Sequence, residues 1–191
     1  LLVFIFSQAV LFLIFLICPI FFLGKTLQGQ GFEKLMLFYF LVLIGSIAWV
    51  YRGIVKEEFR FRKTPLNWPI LFVLIFFLAS AVMSVNLKAS FIGAYGSMGK
   101  GAAAVVIYIL FYFLLINNSN VKTIKAYFWA LIFSSSLVII YSSLQLFGVF
   151  ALPLEFTHSA FFNPIGSATN LGMFLAIVLP MLAVAFTQVK E

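Results

Sequence analysis

Six long apolar runs, separated by short connections that hold most of the charged residues, limit what this chain can fold into. A helix of roughly 20 apolar residues crosses the hydrocarbon core of a bilayer, which is about 30 Å thick, because each residue adds about 1.5 Å. We therefore expect an all-α fold, a polytopic transmembrane bundle forming one helical region over residues 1–191. The expected spans cover residues 1–23, 34–51, 68–85, 101–116, 126–147 and 168–189.

The composition excludes an ordinary soluble domain. The chain is 64% hydrophobic and 9% charged, with a mean hydropathy of +1.18, and no water-soluble domain of this length carries so little polar surface. The net charge of +7 could indicate nucleic acid. We expect none, because the basic residues are spread over the short connections, where lipid headgroups and membrane topology account for them. Cys18 is the single cysteine, so neither an intrachain disulfide nor a cysteine metal site is predicted, and no metal or cofactor is indicated.

The first apolar run is interpreted as a genuine span. It is longer than the roughly 7 to 15 apolar residues of a signal peptide and has no A-x-A-like cleavage site. The chain has no initiator Met, which indicates either missing N-terminal residues or a processed form.

Basic residues predict the orientation of the spans. The connection after the second run holds five of them within residues 52–63, and cytoplasmic connections carry the excess of Lys and Arg. With an even number of spans, both termini then lie in the cytoplasm. The expected inner set is Arg52, Lys56, Arg60, Arg62, Lys63, Lys122, Lys125 and Lys190. The expected outer set is Lys25, Lys34, Lys88 and Lys100.

Two lysines of the second outer connection are candidate phosphate ligands. Lys100 precedes the fourth run and has glycines on both sides, and Lys88 lies near the end of the third run. An ammonium group is a compact cation, and a helix start adds free N–H groups and the positive end of the helix dipole. The alternative is that both side chains simply reach lipid phosphates at the membrane surface.

His158 and Glu155 are three residues apart in the third outer connection. A histidine near its ordinary pKa of about 6.5 can move a proton, and a nearby carboxylate can orient it. The alternative is that both are solvated loop residues. No nucleophile stands at a matching spacing, so a Ser/His/Asp arrangement is not indicated.

The last apolar run begins with turn and capping residues. Asn163 and a Pro-Ile-Gly sequence predict a turn, and Ser167, Thr169 and Asn170 can cap a helix that begins between residues 168 and 170. Small residues then recur every four positions, a pattern that allows close approach of a neighbouring helix: Ala168, Gly172 and Ala176. Pro180 should bend this helix. The alternative for Asn163 and Asn170 is a purely structural turn and cap.

Polar side chains inside the runs are interpreted as contacts between helices. Gln145 is expected to form a hydrogen bond to another helix, and the serines of the same run are expected to pack in the same way. They are Ser134, Ser135, Ser136, Ser142 and Ser143.

Three stretches resemble the O-antigen ligase and polymerase superfamily of polytopic bacterial membrane enzymes. Residues 84–115 (SVNLKASFIGAYGSMGKGAAAVVIYILFYFLL) are similar to a loop of small and aromatic residues followed by a basic residue, a glycine and a long span. Residues 131–150 (LIFSSSLVIIYSSLQLFGVF) are similar to the next span. Residues 161–183 (FFNPIGSATNLGMFLAIVLPMLA) are similar to the family's Asn-Pro turn and following helix. The matching positions there are Asn163, Pro164, Asn170, Leu171, Gly172 and Pro180.

The resemblance implies a glycosyltransferase of the bacterial inner membrane that acts in polysaccharide or lipopolysaccharide biosynthesis. An acceptor hydroxyl would attack the sugar of an undecaprenyl-pyrophosphate-linked glycan at the periplasmic face. The chain then corresponds to the N-terminal part of such an enzyme and is expected to be inactive alone, with catalytic residues in later spans. Lys100 and Lys88 would contact phosphate, and Asn163, Asn170 and Gly172 would support the helix lining the cavity. His158 is not at the position of the family's catalytic histidine and stays only a candidate substrate contact.

Two other function classes remain open. A transporter or lipid flippase would need charged or broken helices near the membrane centre, where this chain offers Gln8, Gln145 and the Pro180 bend. A non-catalytic membrane scaffold would need only a surface that packs against partner helices.

Overall fold

The computed structural model describes residues 2–24, 30–55, 61–150, 157 and 162–188. Within these ranges the chain is all-α, with seven α-helices, a three-residue 3₁₀ turn and no strand. The all-α class is therefore confirmed. The helices are α1 (Leu2–Ile17), α2 (Gln30–Val55), α3 (Asn67–Val82), α4 (Leu87–Ile92), α5 (Ala102–Asn118), α6 (Val121–Leu146) and α7 (Ala168–Gln188). The 3₁₀ turn covers Met98–Lys100.

Each of the six apolar runs forms one helix, but the lengths differ from the predicted spans. Two stretches, Gly31–Val55 and Val121–Leu146, are long and apolar enough to cross a membrane by length and composition. Four described helices are apolar but shorter, and these are Val3–Ile17, Asn67–Val82, Ala102–Asn118 and Ala168–Val184. Membrane insertion is therefore only weakly supported by the two long helices, and the count of six spans stays a prediction.

The first helix ends six residues before its predicted limit. It stops at Ile17, and the chain turns at residues 18–20, where the Ile20 N–H donates to the Ile17 carbonyl at 3.0 Å. Proline at position 19 explains the early end, because it disfavours helical backbone at the residue before it. By contrast, α2 is four residues longer at each end than the predicted span 34–51.

The chain divides into two compact units. The first unit comprises Leu1–Leu11 and Leu35–Thr123, and the second comprises Phe12–Lys34 and Ile124–Glu191.

The core of the first unit forms where three helices meet at a glycine. A Cβ atom added to Gly45 of α2 would lie 2.7 Å from the Leu114 Cδ2 of α5 and 3.3 Å from the Val10 Cγ1 of α1. Leu114 is fully buried, so its side chain has little room to move away. A larger residue at position 45 would therefore push these helices apart.

Helices α3 and α5 of the first unit pack side by side, and they run in opposite directions because the start of α3 lies beside the end of α5. The segment before α3 is tied to the end of α5, since the Arg62 N–H donates to the Asn117 Oδ1 at 2.9 Å. At the other end, α4 packs against both α3 and α5. The connection from α3 to α5 and the connection that enters α3 therefore lie at opposite ends of this helix pair.

The second unit joins the end of α1 to α6. The rings of Phe15 and Tyr127 stack with centroids 5.5 Å apart, and the Ser134 hydroxyl donates to the Phe15 carbonyl at 3.1 Å. This bond confirms a contact between helices for Ser134. Ser135 and Ser136 instead donate to carbonyls four residues earlier in α6.

We predict that Gly45→Val lowers the free energy of unfolding by about 1 to 3 kcal/mol, because the added methyl groups overpack the Leu114 contact. Thermal unfolding of the purified protein in detergent measures the change. Gly31→Val is the matched control, since a Cβ atom at Gly31 of the same helix meets nothing within 4 Å among the described residues. Equal losses for both variants would contradict the overpacking argument.

Candidate functional site

The connection between α3 and α5 folds into a compact corner, which we define as residues 86–101 and call the glycine corner. It contains α4 and the 3₁₀ turn. The Asn86 side chain caps α4, because its Oδ1 accepts a hydrogen bond from the Ala89 N–H at 3.1 Å. The sequence did not predict this short helix, although the Asn86 cap was a visible signal for it.

Two glycines of the corner bring backbone segments into direct contact. A Cβ atom on Gly101 would lie 2.5 Å from the Gly93 nitrogen, and one on Gly93 would lie 2.5 Å from the Met98 Cα. Gly93 also has a φ of +95°, which L side chains rarely adopt. The space beside these two glycines is therefore filled by protein backbone and does not admit a ligand.

The corner places both candidate lysines in one rigid connection. Lys88 lies on α4, Lys100 ends the 3₁₀ turn, and both side chains are exposed. Tyr108 of α5 supports this arrangement, since its hydroxyl donates to the Gly99 carbonyl at 3.4 Å. Both ammonium groups are thus accessible from outside the protein.

In the second unit, Asn163 and Ser167 form the predicted turn and cap. The Gly166 N–H donates to the Asn163 carbonyl at 3.1 Å and to its Oδ1 at 3.0 Å. The Ser167 hydroxyl accepts from the Asn170 N–H at 3.1 Å, and α7 begins at Ala168 as predicted. Asn163 is buried, which supports the structural alternative for its side chain.

The small-residue face of α7 is exposed along its length. Ala168, Gly172 and Ala176 are all accessible, and a Cβ atom on Gly172 would meet nothing within 4 Å in the part of the chain that is described. The close helix contact predicted for this face is therefore not made by the described residues. Asn170 is exposed beside it. His158 and Glu155 lie outside the described residues.

The prediction that Gln145 bonds to another helix was wrong. Its Nε2 donates to the Tyr141 hydroxyl at 2.6 Å, one turn earlier in the same helix. The side chain is fully buried, and its Oε1 finds no hydrogen-bond partner among the described residues. Gln8, in the first unit, does form a long-range bond, since its Nε2 donates to the Asn118 carbonyl at 3.0 Å.

Sequence reasoning also missed a clamp formed by two adjacent charged residues of the second unit. The Glu33 Oε2 accepts hydrogen bonds from the N–H groups of Leu23 and Gly24, at 2.6 and 3.0 Å. The Lys34 ammonium donates to the carbonyls of Cys18 and Pro19, at 3.0 and 2.5 Å. These two side chains satisfy backbone groups that the turn after α1 leaves free. The adjacent charges at the edge of an apolar run were the available signal.

Comparison of the chain with protein-family models, with curated proteins and with solved structures found no match.

We predict that Gly101→Ala destabilises the protein, because a methyl group cannot occupy the space held by the Gly93 backbone. The expected loss is on the order of 1 to 3 kcal/mol, measured by thermal unfolding in detergent. The control is Gly172→Ala, which lies in open space on a helix and should be neutral or slightly stabilising. A stable Gly101→Ala protein would show that the glycine corner is not closed as described.

We predict that Glu33→Ala exposes the turn at residues 23–24, because two backbone N–H groups lose a charged acceptor. Their amide hydrogen exchange should accelerate by roughly tenfold or more, measured in detergent by mass spectrometry. Lys34→Met is the control, since it removes only the bonds to the Cys18 and Pro19 carbonyls. Unchanged exchange in Glu33→Ala would rule out the clamp.

Proposed function

We propose that this chain is a polytopic transmembrane region that binds the phosphate groups of a lipid-linked glycan at its glycine corner. In the full proposal it forms part of an O-antigen ligase-like glycosyltransferase, which transfers or polymerises undecaprenyl-pyrophosphate-linked glycan at the periplasmic face of the bacterial inner membrane. The glycan acceptor is a hydroxyl group of a second glycan or lipid. This assignment extends the resemblance described for the sequence.

The membrane part of the proposal is supported by large apolar side chains on helix surfaces. Phe76 of α3 is 70% exposed and Ile47 of α2 is 69% exposed. Many further apolar side chains of these helices are also exposed. Such surface is unfavourable in water and favourable in lipid, where helices satisfy their own backbone hydrogen bonds. Six membrane spans, including the four shorter helices, belong to this proposal.

The observation that carries the phosphate assignment is the rigid presentation of Lys88 and Lys100. Both are exposed on one connection whose backbone is fixed by glycine contacts. The basic segment at residues 61–63 enters the opposite end of the α3 and α5 pair. With that segment in the cytoplasm, the glycine corner faces the periplasm, where lipid-linked glycan is expected to be used.

The orientation is tested by labelling single cysteines in a Cys18→Ser background. Tyr95→Cys in the glycine corner should react with a membrane-impermeant maleimide in intact spheroplasts, because Tyr95 is exposed and the proposal places the corner in the periplasm. Val121→Cys, at the start of α6, should react only after the membrane is opened. The reverse pattern would place the corner in the cytoplasm and remove the basis of the phosphate assignment.

The phosphate role is tested in the full-length protein by glycan transfer from a polyprenyl-pyrophosphate donor. Lys100→Gln should raise the KM for the donor by roughly tenfold or more, because it removes a charged hydrogen bond to phosphate, and Lys88→Gln should add to the effect. Lys100→Arg should stay close to wild type. Lys122→Gln, an exposed lysine of α6, is the control. Equal KM values for the Lys100 and Lys122 variants would contradict the assignment.

The exposed small-residue face of α7 favours a second candidate function, a non-catalytic scaffold that packs against a partner helix. Gly172→Leu should then abolish co-purification of the partner and leave lipid-linked glycan turnover unchanged. A third class, a transporter or flippase, predicts movement of the donor across proteoliposomes without transfer of its glycan. These outcomes separate the three classes.

A further inference from the structure

A cavity of about 520 Å³ lies in the first unit, at the end of the α3 and α5 pair that is opposite the glycine corner. Its floor is apolar and includes Trp68, Leu71 and Phe113. Its rim is polar and consists of Lys63, Thr64 and Asn67. We call it the Lys63 cavity. Its volume lies within the range of small-molecule sites, about 300 to 1,000 Å³.

Hydrogen bonds hold the rim in one arrangement. The Thr64 hydroxyl donates to the Asn67 Oδ1 at 2.5 Å and lies 2.7 Å from the Tyr112 hydroxyl of α5. Because Thr64 has one proton to give, the Tyr112 hydroxyl is the donor in the second bond. The Asn67 Nδ2 donates to the Arg62 carbonyl at 3.3 Å. The rim is therefore fixed to α5 and to the start of α3 before any ligand arrives.

Aromatic contacts hold the wall next to the rim. Phe61 makes edge-to-face contacts with Trp49 and Phe113, with ring centroids 5.2 and 6.1 Å apart. Within the cavity, however, Trp68 is 68% exposed and Leu71 is 44% exposed. A preformed wall thus leaves apolar surface open beside the exposed Lys63 ammonium.

We propose that the Lys63 cavity binds one anionic phospholipid. The phosphate of the headgroup meets the Lys63 ammonium, and one acyl chain lies over Trp68, Leu71 and Phe113. This arrangement matches the polarity of the cavity, where a cation and polar side chains adjoin an apolar floor at the start of α3.

Charge selects the anionic class of lipid. Arg62 and Lys63 are exposed in the described part of the connection, which has five basic residues in its sequence and is expected to face the anionic inner leaflet. A zwitterionic lipid carries a cation of its own, which the basic segment would repel, so it would bind more weakly than an anionic lipid. A small phosphate ion would leave the apolar floor in contact with water.

This proposal rests on the membrane placement under the proposed function, and it does not depend on glycan transfer. The Lys63 cavity and the lysines of the glycine corner lie at opposite ends of α3 and α5. If the protein binds the phospholipid but does not transfer glycan, the transferase assignment fails and the lipid site stands.

The test counts bound lipid by native mass spectrometry on the full-length protein in a neutral detergent, titrated with phosphatidylglycerol or phosphatidylcholine. Lys63→Gln should weaken phosphatidylglycerol binding about fivefold, the effect of one cation near an anionic headgroup. Leu71→Trp keeps the charge and fills the floor, and it should weaken binding at least as much. Lys122→Gln, another exposed lysine expected on the cytoplasmic side, should leave binding unchanged. Melting temperature and elution volume confirm that each variant is folded.

Four results would overturn the proposal. Equal losses in the Lys63 and Lys122 variants would indicate diffuse attraction to a basic surface. Unchanged binding in Leu71→Trp would show that no acyl chain enters the cavity. Competition by soluble glycerol phosphate as effective as that by the lipid would indicate a site for a small anion. Equal affinity for phosphatidylcholine would remove the role of charge.

Discussion

The structure depends on how a few polar side chains satisfy backbone groups that helices leave free at their ends. Only 9% of the residues are charged, and in the proposed membrane placement water is scarce around the helices, so each free carbonyl or N–H group needs a protein partner. In the first unit Gln8 meets the Asn118 carbonyl at the end of α5. In the second unit Glu33 and Lys34 meet four backbone groups between Cys18 and Gly24. Side-chain to backbone bonds therefore stabilise the chain where these helices end.

Between the helix ends, the contacts between neighbouring helices depend on small residues more than on polar ones. Gly45 lets Val10 and Leu114 meet at the surface of α2, and Gly101 lets the start of α5 touch the end of α4. In the proposed membrane placement, apolar helices gain little from hydrophobic contact, so van der Waals packing at such glycines would hold them together. The same packing fixes the connection that presents Lys88 and Lys100.

Local chemistry explains what could be predicted from the sequence. The six helices follow from hydropathy, and the turn at Asn163 and the start of α7 follow from short-range capping bonds. The early end of α1 follows from Pro19, a local signal that hydropathy alone does not register. The partner of Gln145 could not be predicted, because the amide has several possible bonding partners. The Lys63 cavity was missed for a related reason, since its floor joins residues 68–71 to Phe113, more than one helix away in sequence.

Helices α3 and α5 are short, and lysines lie at both ends of this helix pair. At about 1.5 Å per residue, the 16 residues of α3 reach about 24 Å, less than the roughly 30 Å of a hydrocarbon core. In the proposed membrane placement, such a short helix brings its flanking residues to the level of the headgroups, or the bilayer thins around it. Lys63 precedes α3, while Lys88 and Lys100 follow it, so ammonium groups stand at both ends of the pair. Phosphate is the group that each end would then meet, from a phospholipid at the Lys63 cavity and from a lipid-linked glycan at the glycine corner.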